Sequence, residues 1–156
     1  MRWASLLLLL GCAGAHPSRP ECGGPTGGHG PAAAGSGGFT LRGPPGGVAA
    51  GATAALTLRG PVPFRGFLVT PNTADAAHGG AFASAPAGAR LICGGVGHAS
   101  AAAKDAMTLP WRAPAAAGDV AMRFFVVVGA SEWYGPLSAS IAVTHGAVNA
   151  TKAAPL

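Results

Sequence analysis

Glycine and proline punctuate this chain so densely that no segment longer than about ten residues keeps a helical apolar period. With 26 glycines and 14 prolines in 156 residues, the pattern disfavours a helical bundle. The alanine-rich pieces at 32–34, 85–89 and 115–117 do not rescue it, because each carries Pro or Gly within or beside it. What survives between the breakers are short apolar runs of strand length. Phe39-Thr40-Leu41 is the first, and Ala54 to Leu58 the second, stopping at Gly60-Pro61. Phe64 to Thr70 follows and ends at Pro71-Asn72; Arg90 to Cys93 is a further candidate. Ala106 to Leu109 is limited by Pro110 and closed by Trp111-Arg-Ala-Pro114. Val120 to Val128 is the longest run, and Ser138 to Thr144 closes the set. In the Val120 run both alternate faces carry apolar residues, so it reads as a central strand half covered on its second side. About seven such strands predict an all-β fold of two antiparallel sheets packed face to face.

The first residues carry the marks of a secretory leader. Arg2 precedes the apolar run Leu6–Leu10, and Ala13-Gly14-Ala15 supplies the small residues of a cleavage site. Residues 1–15 are therefore expected to be removed between Ala15 and His16. The apolar run is too short for a spanning helix, which needs about twenty residues. No later stretch is long enough either, and the C-terminal residues lack an anchor signal. The expectation is a secreted, extracellular protein without stable membrane insertion. Within the remaining chain, 16–37 reads as an irregular and mobile arm carrying Cys22, 38–144 as the sandwich, and 145–156 as a flexible tail. Loss of Arg2 lowers the basic count from 10 to 9 against 5 acids, so the net charge falls from +5 to +4. The basic residues are spread singly, which argues against a nucleic-acid partner, since phosphate recognition needs a patch.

Cys12 leaves with the leader, so Cys22 and Cys93 remain. Two thiols in an oxidising compartment form a disulfide, and neither has the spacing of a zinc ligand. Gly66 between Phe64 and Phe67 marks a bulge or a close backbone approach, with the phenylalanines in the core. Trp111 is read as core rather than as an exposed stacking platform.

The ordered elements together resemble the Reelin-type (reeler) domain. They are Cys22 with Pro25 and His29-Gly30, Phe64 to Val69, Cys93, His98-x-Ser100-x₃-Lys104, Leu109 to Pro114, Gly118 to Val120, Phe124 to Val128 and Trp133-Tyr134. The resemblance implies an immunoglobulin-like antiparallel β-sandwich of seven or eight strands and a Cys22–Cys93 bridge. It also implies a non-enzymatic extracellular binding protein. A single such domain resembles the secreted insect defence proteins of the Noduler type, whose ligands would be microbial surface polymers, glycans or proteins. The alternative role is an extracellular-matrix or cell-surface interaction module. His98, Ser100 and Lys104 are the candidate binding rim. With Asp105 nearby, Ser100 and His98 have the residue types of a catalytic triad. No nucleophile elbow or oxyanion-hole motif accompanies them, so no catalytic residue is assigned.

Cleavage would leave His16 as the N-terminal residue, and its amine and imidazole with a second histidine (His29, His78, His98 or His145) would chelate copper. This is a further alternative; the leading reading assigns no metal site and no cofactor. Asn149-Ala150-Thr151 is a glycosylation sequon.

Overall fold

The computed structural model describes residues 22–25 and 28–146. The leader, His16 and the Asn149 sequon lie outside the described residues. Among the described residues, nine strands and one helical turn follow in order: β1 Thr40–Arg42, β2 Val48–Ala49, β3 Thr53–Phe64, β4 Gly66–Pro71, α1 Ala76–Gly79, β5 Ala89–Ile92, β6 Gly95–His98, β7 Lys104–Arg112, β8 Gly118–Val127 and β9 Trp133–Thr144. They form a three-stranded sheet, β1-β3-β7, packed on a six-stranded sheet, β2-β9-β8-β4-β6-β5. All pairings are antiparallel except β2 with β9, which is parallel. The parallel pair arises where the chain leaves β1 and crosses at 43–47 to the other sheet.

Period-two alternation places the core. Leu56 and Leu58 of β3 and Met107, Leu109 and Trp111 of β7 face Phe67, Val69, Met122, Phe124 and Val126 of the larger sheet. Burying each of these side chains contributes about 1.5–3 kcal/mol. Trp111 is fully buried, and its indole N–H donates to the Gly79 carbonyl at 3.1 Å, so the ring is core with its polar atom satisfied. Phe125 and Val127, on the opposite face of β8, are buried too. This is the second-side cover expected for the Val120 run.

The strands differ from expectation in several places: β9 starts at Trp133 rather than Ser138, and β2 is an additional short strand. β3 does not stop at Gly60-Pro61 but runs to Phe64, with a register shift absorbing the residues between Arg59 and Phe64. Gly60 permits this because the Phe39 ring occupies the space a Cβ would need. β7 passes through Pro110, which pairs with Ala55, and continues to Arg112. It is an edge strand, where a missing N–H is tolerated. β6 was not expected at all, because Gly-Val-Gly-His offers no apolar alternation long enough to count. Its Gly95 is required sterically: a Cβ there would collide with the Val69 carbonyl and lie 2.9 Å from Thr70 Cα.

The described part of the arm, residues 22–25 and 28–37, contains no helix or strand and is held against the sandwich. Cys22 bonds to Cys93, with Cα atoms 5.4 Å apart. The Trp133 indole N–H donates to Gly30 O at 2.9 Å, and Ala33 N–H donates to Trp133 O at 2.8 Å. Gly24 sits against the Phe125 ring and Gly37 against the Tyr134 ring, approaches that a side chain would block.

Candidate functional site

The three rim residues are close in the fold, but they do different work. His98 ends β6 and is buried. The β4–β6 ladder pairs Val69 with Val96 and Leu68 with Gly97, so the next rung would join Phe67 to His98. There the imidazole meets the backbone instead: His98 Nδ1 lies 3.1 Å from both the N–H and the carbonyl of Phe67. One tautomer accepts from the amide and the other donates to the carbonyl. Gly66 makes room, since a Cβ there would be 3.2 Å from His98 Cε1 and from Val127 Cβ. The glycine thus marks a close approach. His98 lies inside the domain rather than on its rim, and its Nδ1 is turned to Phe67, not to Ser100 or Asp105.

Ser100 belongs to a loop braced by cations. Arg90 Nη2 donates to Ala99 O at 3.4 Å, Lys104 Nζ to Ser100 O at 2.9 Å and to Ala102 O at 2.7 Å, and Arg65 Nη1 to Ala101 O at 3.2 Å. Four consecutive carbonyls therefore each accept from a basic side chain. Lys104 Nζ also donates to Arg65 O at 3.0 Å. An ammonium has three donors, so Lys104 is fully occupied and holds the loop rather than offering a charge to a ligand. Burial, and then the neighbouring Arg65 charge, lower its pKa below the usual lysine value.

The histidines are dispersed. His29 and His98 are buried, His78 bonds Asp75 at 2.6 Å, and His145 is exposed. Among the described residues no three His, Cys, Asp or Glu side chains are grouped to hold a metal ion.

A surface that the sequence concealed emerges from strand parity. Outward positions of the three-stranded sheet are Thr40 and Arg42 on β1, Thr53, Ala55, Thr57 and Arg59 on β3, and Ala106, Thr108, Pro110 and Arg112 on β7. Three of these are arginines, all exposed, and none is a carboxylate. Arg42 faces Thr57 and so neighbours Arg59 diagonally; Arg59 pairs with Ala106, six residues from Arg112. Arg59 and Arg112 are thus about 20 Å apart along the strand direction. Small Thr and Ala side chains keep the surface between them low. In the sequence these arginines are 17 and 53 residues apart, and only the register brings them to one face.

The described residues contain no helix long and apolar enough to cross a membrane. No curated protein sequence matches the chain. Among solved structures, a human F-spondin reeler domain is similar, with 21% identity, a TM-score of 0.59, and coverage of 74% of this chain and 95% of that one. The Reelin-N domain of F-spondin follows, at 20% identity and a TM-score of 0.58, covering 74% and 93%. A second human F-spondin reeler fragment gives 22% identity and a TM-score of 0.54 over 69% and 93%. These likenesses share the fold, and the model of the Reeler domain matches residues 21–150. The chain, stapled by Cys22–Cys93, belongs to the Reeler domain family.

Proposed function

We propose that this is a secreted, non-enzymatic recognition protein whose Reeler domain binds anionic polymers on microbial surfaces, as part of host defence. The observation that carries the reading is the carboxylate-free outer face of the three-stranded sheet, with Arg42, Arg59 and Arg112. A guanidinium binds phosphate or sulfate groups through two parallel hydrogen bonds. Arg59 and Arg112 are separated by more than the Debye length of about 8 Å at physiological ionic strength, so they act as separate contacts on an extended ligand. That geometry favours a polymer over a small anion. The disulfide and the leader-like first fifteen residues support an extracellular setting.

The test is binding of the full mature protein to immobilised lipoteichoic acid and to a neutral glucan, with the wild type beside an Arg42→Glu/Arg59→Glu/Arg112→Glu variant. Preference for the anionic polymer, with at least about a tenfold loss in the variant, is the expected result. Equal binding to both polymers, or an unaffected variant, sinks the reading. Retention of a protein partner with no polymer binding would instead support a matrix or cell-surface interaction role.

A further inference from the structure

We infer that the outer edge of β9 accepts an extended, acidic peptide segment of a partner protein as an added strand. This goes beyond polymer binding and uses a different surface, sharing with it only Arg42. Asn72 N–H donates to Ala121 O, and Arg65 N–H to Val127 O, so odd-numbered residues of β8 address β4 and even-numbered ones address β9. Even-numbered β8 residues pair with odd-numbered β9 residues: Val120 with Ile141, Met122 with Ala139 and Phe124 with Leu137. From Ser138 to Thr144, on the near side of the register shift between Phe124 and Val126, the even-numbered residues of β9 therefore point their N–H and C=O groups away from β8. Thr144 confirms the sense, since its carbonyl accepts from Ala50 N–H on the far side.

β2 covers that side only at Val143 and Thr144. At Ser138 and Ser140 the edge has no neighbouring strand, because 43–47 crosses to the other sheet and leaves the place vacant. Both serines are exposed, and the run Leu137 to Val143 contains no charge and no proline to block pairing. β7, by contrast, carries Pro110 at its edge and a bridge from Ala81 to Arg112.

The vacant place is a groove of about 370 Å³. Leu41, Ile141, Gly43, Gly46, Gly47 and Ser140 are among its lining residues. Gly43 and Gly47 let the crossover pack closely on Ile141 and on Ala142 O of β9, whereas Gly46 faces open space. The volume is at the low end for small-molecule pockets. The unpaired stretch of the edge runs between β2 at Val143 and the arm, whose Ala33 N–H donates to Trp133 O, which leaves room for a short extended segment. Arg42 is its single charged lining residue. The carboxylate across the strand, Asp119, is on β8, on the side of β9 away from the groove. Charge complementarity thus selects an acidic segment, and it disfavours a second copy of this chain, whose own edge would bring another Arg42.

The probe is the blocked peptide acetyl-(Val-Glu)₃-amide, added to ¹⁵N-labelled mature protein. In the free protein the Ser138 and Ser140 amides exchange fast while Ala139 and Ile141 are protected. The peptide is expected to shift and protect Ser138 and Ser140, and to bind at least about tenfold more tightly than acetyl-(Val-Lys)₃-amide. Ser140→Pro removes an N–H that has no internal partner, so the variant folds, keeps polymer binding and loses the peptide. Arg42→Glu reverses the preference between the peptides. Protection of Ser138 and Ser140 before any peptide is added, unfolding of both Ser140→Pro and Ser138→Pro, or equal binding of both peptides would overturn the inference. So would absence of binding at about millimolar peptide.

Discussion

Tyr134 is the single tyrosine of the chain, and its hydroxyl donates to Glu132 Oε1 at 2.7 Å. That bond raises the phenol pKa above its ordinary value, with a smaller contribution from burial. Because the folded value is raised, the stabilising contribution is complete below the unfolded pKa of about 10 and is lost as pH rises through the folded value. A tyrosinate absorbance titration reads this residue alone. Glu132→Gln is expected to move its midpoint down, and an unmoved midpoint refutes the assignment. Lys104 gives a second test at this scale. Lys104→Met keeps the aliphatic stem but leaves the carbonyls of Arg65, Ser100 and Ala102 without their donor. A loss of about 2 kcal/mol is expected in urea unfolding. Polymer affinity should be retained, since the ammonium is committed internally. Had Lys104 been a ligand-binding residue, affinity would fall with stability intact.

Among the elements, β6 exists because glycine is present. Gly95→Ala would drive a Cβ into the Val69 carbonyl and against the Thr70 backbone, where no side-chain rotation relieves the contact. The substitution is expected to cost about 3 kcal/mol and to unprotect the amides of β5 and β6 first. Uniform loss across the molecule would show that the two strands are not a separate unit. The α1 turn responds to pH instead. Asp75 caps it by accepting from Ala77 N–H at 2.9 Å, and this bond, followed by the one to His78, holds its carboxyl below the usual carboxylate range. With a depressed folded pKa, capping is complete above the ordinary aspartate pKa of about 3.9 and is lost as pH falls through the folded value. Ala77 amide protection relative to neighbouring loops checks it, and protection unchanged by acid would exclude the cap.

The whole molecule is a sandwich with an arm laid over the outer side of its larger sheet. The arm is bonded at Cys22, held at Trp133, and packed through Gly24 on Phe125, whose ring also faces Trp133 at 6.3 Å and lies 4.8 Å from the Arg123 guanidinium. The bridge spans 71 residues of sequence. On the chain-entropy model, Cys22→Ser/Cys93→Ser is expected to cost about 4 kcal/mol, measured as the shift in urea midpoint. Solvent quenching of Trp133 fluorescence should increase in parallel. Unchanged stability and quenching would mean that the remaining contacts hold the arm unaided.

Apolar periodicity and the placement of Gly and Pro determined, from sequence alone, the β class, most of the strands and the buried positions Phe64, Phe67, Trp111 and Phe124. These are local signals, because alternation and chain breaking act over a few residues. Gly66 was legible for the same reason: a glycine between two core aromatics means a close approach, and His98 is what approaches. The arginine face and the vacant β9 edge were not legible, because strand register is set by packing between segments far apart in sequence. Parity that turns Arg42, Arg59 and Arg112 outward together exists only once β1, β3 and β7 are aligned. The rim residues show the same limit. His98, Ser100 and Lys104 are polar residues close in sequence, and only the tertiary structure commits one to Phe67 and another to three carbonyls. A side chain's donors are available or spent according to what folds around them, and no spacing along the chain records that.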